Sequence, residues 1–381
     1  MLPVAVITDR AKKRLKTKHP WIFSNELKSK PPAASGDLVQ IQDPSSHFVG
    51  FGYYNPHTLI AIRILSFTHE FNLSQRIRGS VSRRRSSDAA CRLVYGESDG
   101  LPGLIVDRYN QTLVTQILTA GMERMREEVL SELITAVQPA RILLRNDSAY
   151  RRLEGLPLQV EWAYGEPLDH EIIELDGIRF WIDYQAGQKT GFFLDQQENR
   201  RRLLAYGSAD NMLDVFSYSG AWGLYGAKAG IKNITVVDTS QEALALAQKN
   251  AELNGYSITT VVADAIDFLR QRYEATERFD RIVLDPPAFC KSKKHLPAAL
   301  KAYREINLRA MKLLGTGGFL FTCSCSQPVT PEIFLQVLHQ AAAASGRILY
   351  LRELLFQPPD HPILMNFPES HYLKCAILHV A

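Results

Sequence analysis

The run GGFLFTCSCSQ (317–327) sets Cys323 and Cys325 two residues apart, just where an apolar stretch gives way to polar residues. A disulfide, a metal site, buried packing and a catalytic thiol are the chemistries open to such a pair. The chain holds five cysteines, an odd number, thinly scattered over 381 residues that can build cores without staples, so disulfides are not expected. No histidine or second cysteine pair stands nearby at zinc-ligand spacing, so no metal is expected either. Cys323 still belongs to the apolar run and reads as a small buried hydrophobe. Cys325, flanked by Ser324 and Ser326 and followed by Gln327, reads as a nucleophile, the alternative being that both thiols only pack.

A second constellation is DPPAFCKSKK, from Asp285 to Lys294. Its two prolines stiffen a loop and set Asp285 at a strand end, beside the place where a methyl donor would lie. Phe289 can stack on a base taken out of a helix, and Lys291, Lys293 and Lys294 can meet its phosphates. Such an Asp-Pro-Pro-aromatic loop is familiar in methyltransferases that grip exocyclic amines, but amine methylation has no use for a thiol. Carbon methylation of a pyrimidine has one: C5 of cytosine is a poor nucleophile until a thiolate adds at C6, and β-elimination afterwards frees the enzyme. A free thiol has a pKa of about 8.5, so the reaction calls for cationic neighbours, and Lys291, Lys293 and Lys294 are the candidates.

The methyl donor has its own signature. DVFSYSGAWGLYGAKAG carries Gly220, Gly223 and Gly226, which permit a sharp turn and a close approach, but the spacing is not the G-x-G-x-x-G of dinucleotide sites. Asp238 follows eighteen residues after Gly220, at the end of the next apolar run, where a carboxylate can accept both ribose hydroxyls. Asp264 ends the run after that and can meet an adenine amine. A nucleoside cofactor without a pyrophosphate fits, namely S-adenosylmethionine, with contacts expected from Phe216, Ser217, Tyr218, Gly220, Asp238, Asp264 and Asp285. Against this, the glycines can serve packing alone, Asp264 can cap a helix from Ala265, and Ser240 can cap the helix before it.

These residues need a frame. From about 171 a hairpin turning at Asp176-Gly177 precedes apolar strands at 212–216, 234–238, 258–262, 281–285, 318–323, 347–354 and 373–380. Helical segments lie between them near 221–229, 241–253, 265–275, 298–314 and 332–344. Such alternation predicts a mostly parallel, doubly wound sheet with its ligand at the carboxyl ends of the strands. Residues 1–75 alternate apolar and polar, with turn signals at Asp43-Pro44 and Asn55-Pro56 and a GFG that invites a bulge; they read as a small β-barrel and, with KHPWIFSNEL, resemble a PUA domain, an RNA-binding module. The polar stretch SVSRRRSSDAA makes a joint, and 76–170 reads as an α+β unit in which two strands turn at Tyr109-Asn110 and MERMREEVLSELITAV forms a helix.

Apolar content of 46% and charged content of 22% are ordinary for a globular protein. No run of eighteen apolar residues and no signal-peptide stretch appears, so a cytoplasmic protein with no membrane partner is expected. Net charge is only +4, but it is bunched: Arg10, Lys12, Lys13, Arg14, Lys16 and Lys18; then Arg76, Arg78, Arg83, Arg84 and Arg85; then Arg200, Arg201 and Arg202; then Lys291, Lys293 and Lys294. Any one cluster reads equally well as a solvated face, whereas four favour a polyanion such as RNA.

Taken together, GQKTGFFLDQQENR (187–200), LDVFSYSGAWG, VVDTS, DPPAF, TCSCS and HPILMNFPESHYLK resemble the RlmI-type bacterial methyltransferases, which form 5-methylcytosine in 23S ribosomal RNA. The resemblance covers nearly the whole chain. It implies an α/β protein of three domains: a PUA-like domain (1–75), a middle α+β domain (76–170) and a Rossmann-like S-adenosylmethionine-dependent domain (171–381). It places the catalytic thiol at Cys325, leaves Cys323 without a role and makes 23S rRNA the partner, with a homodimer left open. Other RNA cytosine-C5 enzymes carry a second cysteine directly after the proline of the fourth-strand motif; here that position is Ala288, and Cys290, two residues on, is read as incidental. Guanine-N7 relatives share the D-P-P-x-F loop but lack the T-x-S-C-S cysteine. The rival readings are an exocyclic-amine methyltransferase in which Cys325 is structural, and a non-catalytic rRNA-binding assembly factor. An NAD-dependent oxidoreductase is disfavoured by the missing fingerprint.

Overall fold

The computed structural model describes residues 2–84, 88–185 and 191–381. Arg85 of the second basic cluster and residues 187–190 of the GQKTGFF stretch lie outside the described residues. The chain divides into two compact units, Met1–Ile173 with Ile182–Leu194 and Pro359–Ser370, and Glu174–Trp181 with Asp195–Pro358 and His371–Ala381.

The first unit holds two five-stranded sheets. In one, the strands Val4–Val6, Leu38–Gln42, Phe48–Tyr54, Ile60–Ser66 and Trp21–Phe23 lie side by side around a core of Ala5, Ile7, Ile22, Val39, Ile41 and Ile62. The register shifts between Phe51 and Gly52, which is the bulge that GFG invites, and Gly52 lies so close to the Arg63 carbonyl that any side chain there would collide with it. The other sheet runs Gln159–Tyr164, Arg141–Asn146, Thr112–Ile117, Leu104–Tyr109, Ala90–Tyr95, with the helix Arg126–Val137 contributing Val129, Leu130 and Leu133 to its core. The strand Ala90–Tyr95 was not expected; it starts within the stretch read as a joint, and only pairing with Leu104–Tyr109 reveals it.

The second unit is built on a seven-stranded sheet. In chain order its strands are Asn211–Val215, Asn233–Asp238, Thr259–Val262, Phe279–Leu284, Leu314–Ser324, Leu349–Phe356 and Lys374–Val380, called first to seventh below. Their order across the sheet is third, second, first, fourth, fifth, seventh, sixth. The first five run parallel and the seventh is antiparallel to both its neighbours. Helices Ala221–Lys228, Gln241–Asn254, Ala265–Glu274, Leu296–Leu313 and Pro331–Ser345 fall where the periodicity placed them. Burial on both faces explains why the strands read as unbroken apolar runs: Leu213, Val236, Ile282, Val283 and Phe321 are all fully buried. Thr330 caps the last helix by accepting from the Ile333 N–H, and Pro331 fills its first position. One further helix, Gln197–Leu204, comes from a polar segment with no apolar period to announce it. The strand order reverses between the first and fourth strands, and a doubly wound sheet opens its ligand crevice at that point.

Candidate active site

The loop after the first strand is held in an unusual backbone. Phe216, Tyr218 and Gly220 all take positive φ, at 65°, 46° and 71°, a region that costs a non-glycine residue and recurs at functional sites. A Cβ on Gly220 would sit 2.8 Å from Cβ of Ala247, so glycine is needed there on two counts. The Tyr218 N–H donates to Asp238 Oδ2 at 3.0 Å and the Ser240 N–H to Oδ1 at 3.0 Å, so Asp238 ties the loop to the end of the second strand. Ser217 Oγ is buried and has no hydrogen-bond partner among the described residues. A strained loop carrying an orphaned buried hydroxyl, next to a carboxylate at a strand end, fits a nucleoside cofactor. The capping alternatives are met as well. Ser240 accepts from the Ala243 N–H, and Asp264 Oδ1 accepts from the Ile266 and Asp267 N–H groups at 2.9 and 3.1 Å while Asp264 itself stays exposed at the mouth of the sheet.

Asp285 follows the fourth strand and is gripped on both oxygens, with Gln196 Nε2 donating to Oδ1 at 2.7 Å and Trp222 Nε1 to Oδ2 at 3.0 Å. Asn199 in turn steadies Gln196. Burial pushes the Asp285 carboxyl above the usual carboxylate range, against the pull of the Trp222 bond and of Arg200. Gln196 and Arg200 belong to the unforeseen turn and helix, and Trp222 sits between Gly220 and Gly223; a cluster of large polar residues in QQENR was the one available signal. The same helix corrects a reading. Arg200, Arg201 and Arg202 do not form a face for a polyanion: Arg200 is buried, Arg201 pairs with Asp176 at 2.8 Å and Glu198 at 2.6 Å, and Arg202 pairs with Glu353 at 2.7 Å. In the first unit Arg84 is likewise buried against Asp99, and Arg14 is spent on Glu26. Arg10, Lys13, Lys16, Lys18, Arg76 and Arg78 remain exposed.

Cys325 is the first residue after the fifth strand and is half-buried, whereas Cys91, Cys290, Cys323 and Cys375 are buried. Its Sγ donates to the Pro286 carbonyl at 3.7 Å, which brings the thiol against the Asp-Pro-Pro loop. Cys323 lies in register with Cys375 on the seventh strand, and burial pushes its thiol well above the ordinary range. Cys290 donates its thiol to the Ser292 carbonyl at 3.1 Å and its N–H to Ser326 Oγ, which fits a packing residue. The Phe289 ring meets Phe216 edge-on at 6.2 Å and Tyr303 at 4.8 Å between centroids, joining the two signature loops and leaving Phe289 partly open. Lys291, Lys293 and Lys294 are exposed. The cation that stands by Cys325 is one the sequence reading passed over: Lys374, fully buried, donates to the carbonyl of Ser326 at 2.9 Å. Among the described residues no three His, Cys, Asp or Glu side chains gather as metal ligands, and no helix is long and apolar enough to cross a membrane.

Two family models match the chain: a PUA-like domain over residues 6–67 and an S-adenosylmethionine-dependent methyltransferase over 118–371. Among curated proteins, the ribosomal RNA large subunit methyltransferase I of Aeromonas salmonicida is 39% identical over 377 residues, covering 95% of each chain. That of Vibrio cholerae is 35% identical over 398 residues, covering 99% of this chain and 100% of its own. Among solved structures, a methyltransferase crystallised with SAH superposes with a TM-score of 0.86 at 20% identity, and an S-adenosylmethionine-dependent methyltransferase from Streptococcus mutans with 0.84 at 19%, each over 100% of both chains; these two speak for the fold. With a methyltransferase model spanning most of its length and full-length relatives above the level at which families diverge in fold, this chain belongs to the ribosomal RNA large subunit methyltransferase I family of S-adenosylmethionine-dependent enzymes.

Proposed function

We propose that this enzyme methylates C5 of a cytidine in large-subunit ribosomal RNA through a covalent bond between Cys325 and C6. The observation that carries the reading is the 3.7 Å approach of the Cys325 thiol, the least buried of the five cysteines, to the Pro286 carbonyl in the loop that follows Asp285. Bound S-adenosylmethionine supplies an electrophilic methyl group on a sulfonium. Phe216, Ser217, Tyr218 and Gly220 shape its pocket together with Asp238 toward the ribose, Asp264 toward the adenine and Asp285 beside the reacting end. The flipped base stacks on the open face of Phe289, while Lys291, Lys293 and Lys294 meet the flanking phosphates. Asp285, its carboxyl driven toward the protonated form by burial, hydrogen-bonds the N3/N4 edge and draws electron density from the ring. The Cys325 thiolate then adds at C6, C5 becomes enamine-like and takes the methyl group, water accepts the C5 proton, and the electron pair of that C–H bond reforms the C5–C6 double bond as the C6–S bond breaks to return the thiolate. The PUA-like segment adds affinity for the RNA.

The test is trapping with RNA carrying 5-fluorocytidine, in which fluorine blocks the final elimination. A denaturation-resistant protein–RNA complex is expected from the wild type and none from Cys325→Ala, with 5-methylcytosine absent from the RNA treated with the variant. Methylation of an exocyclic amine without any trapped complex overturns the reading in favour of amine chemistry on the same Asp285–Phe289 loop.

A further inference from the structure

Lysine is seldom fully buried unless an acid accompanies it. Lys374 opens the seventh strand with no exposed surface, in register with Ser324 at the end of the fifth strand and with Phe356 on the sixth. Its Nζ donates to two backbone carbonyls, those of Ser326 at 2.9 Å and Tyr372 at 2.8 Å. Ser326 is the residue after Cys325, so the ammonium is pinned across the peptide that carries the thiol. Among the described residues no carboxylate lies within ion-pair distance of Lys374. Carbonyl dipoles solvate a buried ammonium only in part, and the anion that would complete the site is a thiolate on Cys325.

We propose that Lys374 is the positioning residue for the nucleophile, a fixed buried cation that holds the Cys325 sulfur as a thiolate before attack and favours its departure in the elimination. The proposal rests on the reading of Cys325 as the nucleophile. The thiol proton passes to water while Lys374 keeps its own. When sulfur bonds to C6 its negative charge moves into the ring, and when the bond breaks the charge returns beside the ammonium, so one cation assists the start and the end of the cycle. Burial draws the Lys374 ammonium down to about 8, and the Cys325 sulfur acts in the opposite sense. The other titratable groups around this corner are Tyr303, whose hydroxyl bonds Ser326 Oγ at 3.0 Å, and Cys323 and Cys375 within the strands. Asp285 lies at the end of the fourth strand, Asp195 is held by Tyr372, and Glu353 on the sixth strand is held by Arg202. Glu332 lies on the last helix, facing His371, and His371 itself is kept below its usual range by burial and by the charge of Lys374. Lys374 is therefore the cation of this corner near neutral pH.

Alkylation of the full-length protein with iodoacetamide, followed by peptide mass measurement from pH 5.5 to 10, reads the thiolate at Cys325 directly, because the other four cysteines are buried. The wild type is expected to inflect below the ordinary thiol value of about 8.5. Lys374→Gln should move the inflection upward and label about tenfold more slowly at pH 7, Lys374→Arg should restore most of the shift, and S-adenosylmethionine binding by calorimetry should stay level in both. A wild-type inflection at or above about 8.5, or a Lys374→Gln profile that overlies the wild type, overturns the proposal; the first outcome decides even if the glutamine variant fails to fold. Trapping by 5-fluorocytidine RNA is scored separately, so a wild type that alkylates early but never traps RNA removes the nucleophile reading and leaves the ion pair standing.

Discussion

At the scale of single residues, two acids stand at the switch point of the sheet, one partly exposed and one fully buried. Asp285 keeps partial access to solvent and has both oxygens engaged by Gln196 and Trp222, which holds its carboxyl in one orientation. Asp214, in the first strand, is fully buried and accepts the Gly223 N–H at 3.0 Å on Oδ2; burial pushes its pKa up to about 7, with Asp285 adding to the rise and Arg200 opposing it. The folded protein therefore holds a proton on Asp214 between about pH 4 and pH 7 that the unfolded chain gives up, and stability contributed at this position falls as pH rises through that window, by roughly 1.4 kcal/mol per pH unit at the steepest. Asp214→Asn removes the titration. Denaturant unfolding of both proteins from pH 4 to 8 should show the variant gaining on the wild type up to about pH 7 and then holding level, whatever constant offset the amide brings; a pH-independent difference would mean the carboxyl is ionised throughout.

At the scale of elements, the glycine loop proposed to hold the cofactor depends on the helices that flank it. Gly220 starts the helix Ala221–Lys228 in the left-handed region and packs on Ala247 of the helix Gln241–Asn254, while Asn250 of that helix donates to the Ser219 carbonyl at 3.1 Å. Gly220→Ala adds about 1–2 kcal/mol of backbone strain and a clash with Ala247 besides. The expected result is a loss of about 1–3 kcal/mol of unfolding free energy and weaker S-adenosylmethionine binding by calorimetry, since the strain and the clash act on the loop itself. An alanine variant with undiminished affinity would show that the loop reaches its cofactor-binding shape without the left-handed turn. This loop was legible from the sequence because three glycines after an apolar strand require a sharp, close turn. The helix Gln197–Leu204, which supplies Arg200, was not legible, since its first six residues are polar, its two leucines are adjacent and mark no helical period, and the burial of its polar residues follows from packing against other elements.

At the scale of the whole molecule, the bunched positive charge resolves into two populations. Arg14, Arg84, Arg200, Arg201 and Arg202 are consumed by acids or by burial, and Lys291, Lys293 and Lys294 stand exposed after the Asp-Pro-Pro loop. If these lysines meet phosphates, replacing all three by alanine should weaken RNA binding and lower the slope of log K against log salt by up to about 2, at roughly 0.7 per phosphate on single-stranded RNA. S-adenosylmethionine affinity should not change. The pair Arg201→Ala and Arg202→Ala serves as the control with an unaltered slope, and a slope that drops in the control and not in the lysine variant would relocate the RNA to the helix Gln197–Leu204.

By itself the sequence determined what local periodicity and strand termini can encode: a doubly wound sheet, a glycine loop with acids at the ends of the next strands, and a thiol at the end of the fifth. Those features repeat over a few residues, so they survive without a partner in view. Only the tertiary structure decided which charges are free, and which cation stands by the thiol. Lys374 comes from an antiparallel strand that closes the sheet after a long excursion of the chain, and its burial is a property of the neighbours it meets there. Desolvation and long-range hydrogen bonding depend on what surrounds a group in space, and that information exists only once the strands have paired.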